Sequence, residues 1–349
     1  MANQFLRDPS KAPFVSLCTP TFNRRPFFPY VAKCIASQDY PKDKIEWIII
    51  DDGTDLIEDL VKDIPYVKYY KYETKMTLGK KRNLMHEKCT GDILIYIDDD
   101  DFYPDCRISH AVDTLLKNPQ ALCAGSSEMF IYFKHIDKMY SFGPYGNQHA
   151  TAATFAFRRQ LLEQTSYDEE ACVGEERKFL KDYTIPLVQL DSRKTILVFS
   201  HIHNSFDKKR ILQSENTNSK PMHKERPDVE VDHFIKDKDS KLFFMRDIDT
   251  ILAQYEPGDP KNKEDVTRYM HILEKARNDA LNALQTQMKQ ASDAMEERVN
   301  EMRKTYEKRL AELTHENIML KEKCDHVNTK MKDVLADIIQ LKKSNTTNK

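Results

Sequence analysis

The sequence predicts an α/β fold, a mostly parallel sheet with helices on both faces, followed by a long C-terminal helix. Three observations predict it. Short apolar runs of strand length alternate with helix-like segments across residues 14–97. Threonine and aspartate clusters close three of those runs, and in parallel sheets ligands bind outside the carboxyl ends of the strands. From residue 264 to residue 341 there is neither proline nor glycine, and Glu, Lys, Ala, Met and Leu dominate.

The first strand is expected at residues 14–19, interrupted by Pro20-Thr21-Phe22-Asn23-Arg24-Arg25. Pro26 with apolar Tyr30, Val31, Cys34 and Ile35 predicts a helix carrying proline in its first turn, and Pro41 closes that connection. Residues 45–50 read as the second strand, ending in Asp51-Asp52-Gly53-Thr54, and residues 67–72 as the third. Leu78-Gly79-Lys80-Lys81-Arg82-Asn83 leads into a helix that ends before Gly91. Residues 93–97 form the fourth strand, and Asp98, Asp99, Asp100 and Asp101 follow it without a break. Residues 151–157 and 195–199 read as further strands.

Four carboxylates leaving one strand end together repel each other unless a cation or hydrogen-bond donors offset them. A divalent metal with phosphate oxygens does this well, because hard cations prefer oxygen ligands and keep positions open for substrate. The plain alternative is an acidic surface turn.

The 349 residues suffice for one large domain plus an extension. The 54 basic and 56 acidic residues nearly cancel, so nothing global points to nucleic acid or to an anionic membrane. Seven cysteines without a Cys-x-x-Cys pair favour reduced thiols. Residues 1–13 lack an apolar signal core, and no segment has the apolar length of a membrane span. A cytoplasmic protein is expected. The expected domains are a catalytic unit at 1–206, a mobile loop or lid and connector at 207–260, and a coiled-coil helix at 261–343.

In the tail, Leu281, Leu284, Met288, Ala291 and Met295 fall at spacings of three and four, and Val299, Met302, Tyr306 and Leu310 continue after shifts. Leu313, Leu320, Val327, Val334 and Leu341 then hold one heptad position, with Asn317, Cys324, Met331 and Ile338 at the other. A helix cannot bury its own stripe, so self-association, as a dimer with Asn317 in the seam, is expected.

Four motifs in order carry a family resemblance: Pro20-Thr21-Phe22-Asn23-Arg24, Ile50-Asp51-Asp52-Gly53-Thr54, Lys81-Arg82-Asn83 and Ile97-Asp98-Asp99-Asp100-Asp101. They resemble the ordered motifs of family 2 type glycosyltransferases, which have the GT-A fold and use a nucleotide-diphosphate sugar. The strings at 79–83 and 98–104 are similar to a subgroup found in large DNA viruses, which adds host cytoplasm or virus particle as the expected location. The resemblance covers roughly residues 12–206.

The resemblance implies roles. Asp51 or Asp52 would hydrogen-bond the nucleobase or ribose, with Thr19 and Thr21 bordering the base. Arg82 would reach a phosphate or an aspartate of the site, while Lys80 and Lys81 read as a solvated helix turn. Asp98 and Asp99 would lie at the nucleotide sugar, and Asp100, with Asp101 as second candidate, would hold Mn²⁺ or Mg²⁺. Of the pair Glu175 and Glu176, Glu176 would be the base of an inverting transfer and Glu175 a helper orienting the acceptor. His201 would be a third metal ligand, and strand alternation would place His203 on the same side. Tyr145, Asn147 and His149 would contact acceptor or sugar.

The function so implied is metal-dependent transfer from a nucleotide-diphosphate sugar, UDP-sugar favoured, to a glycan or protein acceptor. A coiled-coil scaffold carrying an inactive sugar-nucleotide domain is the competing reading. A nucleotidyltransferase is disfavoured, because no Gly-rich basic loop follows the first strand.

Overall fold

The computed structural model describes residues 9–204, 208–209, 212 and 223–346. Two compact units divide the chain, one up to Ile272 and one from Leu273.

The first unit is built on a seven-stranded sheet with order β3-β2-β1-β4-β8-β5-β9. Its strands are β1 (Val15–Thr21), β2 (Ile45–Asp51), β3 (Val67–Lys71), β4 (Ile93–Tyr96), β5 (Cys123–Gly125), β8 (Ala156–Arg158) and β9 (Leu187–Gln189). The first four run parallel, and β8 enters antiparallel between β4 and β5. Every residue of β2 is buried, as its unbroken apolar run requires of a strand covered on both faces.

Pleat alternation sends Leu17, Trp47 and Ile49 to one face, against α1 (Phe28–Ala36) and α4 (Arg107–Lys117). Cys18, Ile48 and Ile50 go to the other face, against Met85 of α3 (Leu78–Lys88). A one-turn helix, α2 (Glu58–Val61), links β2 to β3.

Pro20 does not interrupt the first strand, which continues through Thr21 with Pro20 opposite Ile50. Cys18 gives its carbonyl to the Ile97 amide, and two residues on, Pro20 faces the same side, where the ladder with β4 has ended. Its missing N–H is therefore not needed. The strand expected at 151–157 is shorter: a tight turn over Ala152–Thr154 precedes β8. Gly125 explains the turn's fit, since a Cβ there would lie 2.6 Å from the Ala150 side chain and 3.2 Å from Thr154.

A second sheet, order β10-β6-β7-β11, joins β6 (Met129–Phe133), β7 (Lys138–Phe142), β10 (Leu197–Phe199) and β11 (His223–Glu225). The expected connector is folded where it is described. Val229, Val231, Phe234, Ile235, Phe243, Phe244, Ile248 and Leu252 belong to the main core, carried partly by α6 (Lys238–Leu242) and α7 (Ile248–Ala253). Apolar side chains spaced through a polar stretch escaped notice as core because no strand or helix period organises them. Of the lid and connector expected at 207–260, residues 207, 210–211 and 213–222 lie outside the described residues.

One helix, α8 (Glu264–Thr346), runs for 83 residues after the four-residue α5 (Glu176–Phe179) and the two short helices of the core, which is about 125 Å at the helical rise. Its residues through Ile272 belong to the globular unit. Beyond, the heptad residues Leu313, Leu320, Val327, Val334 and Leu341 are all exposed, 41–65 % in the single chain.

Candidate active site

The four aspartates leave β4 at the carboxyl edge of the parallel strands. Asp98, Asp99 and Asp100 line a cavity of about 180 Å³ together with Thr21, Arg24, Lys81 and Lys263. A second cavity of about 650 Å³ shares Phe22, Lys75, Met76 and Asp265 with it. Asp101, the second metal candidate, is not in that lining: it accepts the Phe199 amide at 3.4 Å, turned toward β10. Four successive residues in a turn cannot all point one way, and this one pins the two sheets together.

Asp100 is the best supported of the four. Its Oδ2 lies 3.3 Å from His201 Nε2 and 3.4 Å from Arg24 Nη2. Burial alone would raise its pKa, but the His201 hydrogen bond and the Arg24 charge outweigh burial and hold it well below the ordinary carboxylate range. Burial lifts Asp98 to about 6 against the pull of Arg82, with Asp100 and Glu175 adding repulsion. Burial also lifts Asp99 to about 7, opposed by Arg24. Three carboxylates crowded into one small cavity are thus only partly compensated from within the protein.

The donor set fits a small divalent cation. His201 is pushed down to about 3 by burial and is therefore neutral, as a metal ligand must be. Neighbouring ligands on an octahedral ion at about 2.1 Å stand about 3.0 Å apart, close to the 3.3 Å between His201 Nε2 and Asp100 Oδ2. Among the described residues no three His, Cys, Asp or Glu side chains close a full cage. That is the expected condition of an ion held by one or two protein groups and completed by phosphate oxygens.

The acid pair is positioned from the other face of the sheet. Thr77 caps α3 by accepting the Lys80 amide, and the Gly79 amide donates to the Ala171 carbonyl at 2.9 Å. A Cβ on Gly79 would fall 1.8 Å from the Asp168 carbonyl oxygen, so only glycine lets this helix start seat against the 168–171 loop. One turn later Arg82 is buried between Glu175, which it pairs with directly, and Asp98 at 3.9 Å, with its guanidinium 4.6 Å from the Tyr96 ring centre. Glu175 is thereby committed to Arg82. Glu176 opens α5 with no ion-pair partner among the described residues, and burial, then repulsion from Glu175, raises its pKa.

Other expected residues serve the scaffold. Asp51 accepts the Gly53 and Ile57 amides at 2.9 and 3.1 Å and the Tyr69 hydroxyl at 2.7 Å, closing its own loop. Asp52 accepts the Met76 amide at 2.6 Å and pairs with Lys81, which is buried rather than solvated and also donates to the Thr21 carbonyl at 2.8 Å. Thr19 donates to the Ile97 carbonyl at 2.7 Å and accepts from the Trp47 indole at 2.9 Å, leaving no hydroxyl for a base. Thr21 does line the carboxylate cavity.

His203 parts from His201. A turn over 201–204, closed by the Asn204 amide donating to the His201 carbonyl at 3.2 Å, replaces the extended chain that alternation assumed. The His203 ring faces Tyr255 instead, at 6.4 Å. The rings of Tyr145 and His149 meet at a tilt, 4.9 Å between centres, as do those of His149 and Tyr183 at 4.8 Å. Asn147 takes part through its carbonyl, which accepts from Gln189 at 2.9 Å. None of the three lines the carboxylate cavity. The row reaches Glu176, whose charge acts on Tyr183.

Arg24, Lys81 and Lys263 were missed as site residues. Arg24 lay in a quoted motif; Lys263 had no local signal at all, sitting in a polar stretch before a helix.

Residues 16–183 match the family model described as Glycosyl transferase family 2. A Haemophilus influenzae protein described as an uncharacterized glycosyltransferase is 25% identical over 119 residues, covering 33% of this chain and 47% of that protein. The poly(ribitol-phosphate) β-N-acetylglucosaminyltransferase TarS of Staphylococcus aureus is 27% identical over 100 residues, covering 25% of this chain and 16% of TarS. The chain thus spans about half or less of the curated relatives it matches. Among solved structures, the S. aureus TarS 1–349 complex with UDP aligns over 54% of this chain and 61% of that one, at 19% identity and a TM-score of 0.42. The Pyrobaculum calidifontis mannosyltransferase PcManGT, with GDP-Man and Mn²⁺, aligns over 54% of this chain and 58% of that one, at 18% identity and a TM-score of 0.44. No described helix is long and apolar enough to cross a membrane. The mixed sheet is GT-A-like, and the match to the glycosyl transferase family 2 model spans residues 16–183, just under half of the chain.

Proposed function

We propose that the chain is a metal-dependent, inverting glycosyltransferase that moves a sugar from a nucleoside-diphosphate donor, UDP-sugar favoured, to a glycan or protein acceptor. The observation that carries this is the convergence of Asp98, Asp99 and Asp100 on one cavity at the end of β4, with His201 Nε2 3.3 Å from Asp100, inside the stretch that matches the family 2 model. Asp100 and His201 are the residues that would hold Mn²⁺ or Mg²⁺. When bound, that ion supplies charge neutralisation for the departing nucleoside diphosphate.

The chain's own residues do the rest. Asp98 faces the ribose and sugar side, held by Arg82. The acceptor hydroxyl oxygen attacks the anomeric carbon from the face opposite the leaving group, and its proton passes to a Glu176 oxygen as the bond to the diphosphate breaks. The raised pKa of Glu176 suits a base that must hold the proton after transfer. Arg82 pairs with Glu175 beside it. The Tyr145, His149 and Tyr183 rings offer apolar faces for an acceptor sugar. Self-association through α8 is part of the proposal, supported by the exposed heptad residues from Leu313 to Leu341.

A thermal-shift screen of UDP, GDP and their sugars, with and without Mn²⁺, tests the reading. Donor-selective stabilisation that needs the metal is expected, about 2.7 kcal/mol at a hundredfold excess over Kd. A flat response to every ligand would refute it. Glu176→Gln should leave that stabilisation intact and cut turnover by about 10²–10⁴. Full turnover in this variant would move the base elsewhere. In the wild type, turnover should climb as pH rises through the raised Glu176 pKa.

A further inference from the structure

We infer that residues 310–341 of α8 pair with a second copy of this chain as a parallel, in-register, two-stranded coiled coil; this rests on the self-association reading above. Leu310, Asn317, Cys324, Met331 and Ile338 hold heptad position a, and Leu313, Leu320, Val327, Val334 and Leu341 hold position d, without a phase shift across the stretch. Apart from Asn317 and Cys324, which are also exposed, these residues are 41–66 % exposed in the single chain. Such a continuous apolar stripe marks a face that a partner covers. No other face of the stretch competes with it. Ile318 and Ile339 share their heptad position with Asp325 and Lys332, Met319 shares its own with Glu312 and Asp333, and Leu335 with Lys321 and Asn328.

Asn317 decides the direction. In an antiparallel pair each a residue packs on a d residue of the other strand, and every d residue of the stretch is leucine or valine. Asn317 would then face hydrocarbon in any antiparallel register, and a buried carboxamide without a partner is costly. In a parallel pair a meets a. Only with the two chains in register does Asn317 meet its own copy, where each carboxamide offers the other both a donor and an acceptor. A slip of one heptad would set it against Leu310 or Cys324. Val327 and Val334 at d do not select two strands; the single asparagine at a does. The flanking charges agree. In this register a residue at g lies beside the residue at e five positions later on the other strand. Glu316 meets Lys321 and Asp337 meets Lys342, each twice by symmetry. The remaining g–e pairs are Arg309 with Thr314, Lys323 with Asn328 and Lys330 with Leu335, and none opposes like charges. Seam and flanks are thus complementary to their own copy.

The test is sedimentation equilibrium on the full chain, together with thiol cross-linking by oxidised glutathione. A concentration-dependent dimer is expected. Cys324 should link to its copy, two thiols giving one disulfide as the glutathione disulfide is reduced to two glutathiones. Cys324→Ser should abolish the link. Adding Leu313→Cys in that background should restore it, because position 313 meets its copy in a parallel, in-register pair and faces the far end of the seam in an antiparallel one. Asn317→Val should tighten association about tenfold or more, the scale of one buried polar group, and spread it over dimers and larger species. A dimer that does not link through position 313 overturns the inference and leaves self-association standing. So does a wild-type trimer or tetramer, or an Asn317→Val chain that associates as the wild type does. A wild type that stays monomeric as concentration rises takes the self-association reading and the inference down together. Should Leu313→Cys loosen the dimer, Ile338→Cys in the same background gives the comparison.

Discussion

The chain has two aspartate clusters, each at the end of a parallel strand, and they have opposite fates. After β2, Asp51 and Asp52 are met by three backbone amides, a tyrosine hydroxyl and a lysine, and both are buried. After β4, Asp98, Asp99 and Asp100 face a cavity, with Arg82 3.9 Å from Asp98 and Arg24 beside Asp99 and Asp100, and burial drives two of them toward neutrality. An acidic strand end becomes scaffold where the chain supplies donors, and a site where it supplies fewer than the charge demands. The difference lies in the partners, not in the aspartates.

That contrast can be broken or sharpened by substitution. The largest effect should come from Asp52→Ala, which strands a buried Lys81 and should cost about 3–5 kcal/mol in urea unfolding; replacing both residues by a matched apolar pair should cost much less. A loss under 1 kcal/mol for Asp52→Ala would place the pair in the working site after all. Asp100→Asn should lower metal-dependent turnover by about 10²–10³ while moving the melting temperature by no more than about 2 °C. A large melting shift with activity retained would make Asp100 scaffold like Asp52.

The smallest effect concerns Glu46, a compensated carboxylate at the amino end of β2. Burial alone would raise its pKa, but Lys68, Ser16 and the Thr90 amide outweigh burial and depress it below 4.5. A carboxylate depressed in the folded state adds stability at neutral pH, and that contribution fades as pH falls from the unfolded value through the folded one. Glu46→Gln should therefore flatten the acid limb of the stability profile below about pH 4.5. An unchanged limb would show that Glu46 carries no such linkage.

The sequence disclosed β1, β2 and β4 because both faces of each are covered, which leaves apolar runs such as Ile48-Ile49-Ile50. It disclosed that Asp98, Asp99 and Asp100 stand at a strand's carboxyl edge, where they line a cavity, because they follow an apolar run of strand length. Their fates were illegible because the deciding partners come from far away. Lys81 reaches Asp52 from 29 residues later, and Tyr69 reaches Asp51 from 18 later. His203 was misplaced for a local reason: alternation holds only while the chain is extended, and the chain turns at 201–204. Lys263 was invisible because a lysine beside a charged helix looks like any solvated lysine until the fold brings that helix root to the site.

Gly79 lines no part of the carboxylate cavity and is assigned no step of the chemistry, yet a Cβ there would meet a neighbour at 1.8 Å, closer than at any other described glycine. A single added methyl would strike the Asp168 carbonyl, lift the start of α3 and carry Arg82 off Glu175. Mutational tolerance in this enzyme therefore does not scale with distance from the reacting atoms: one of its least replaceable positions holds a hydrogen where every other amino acid has a side chain.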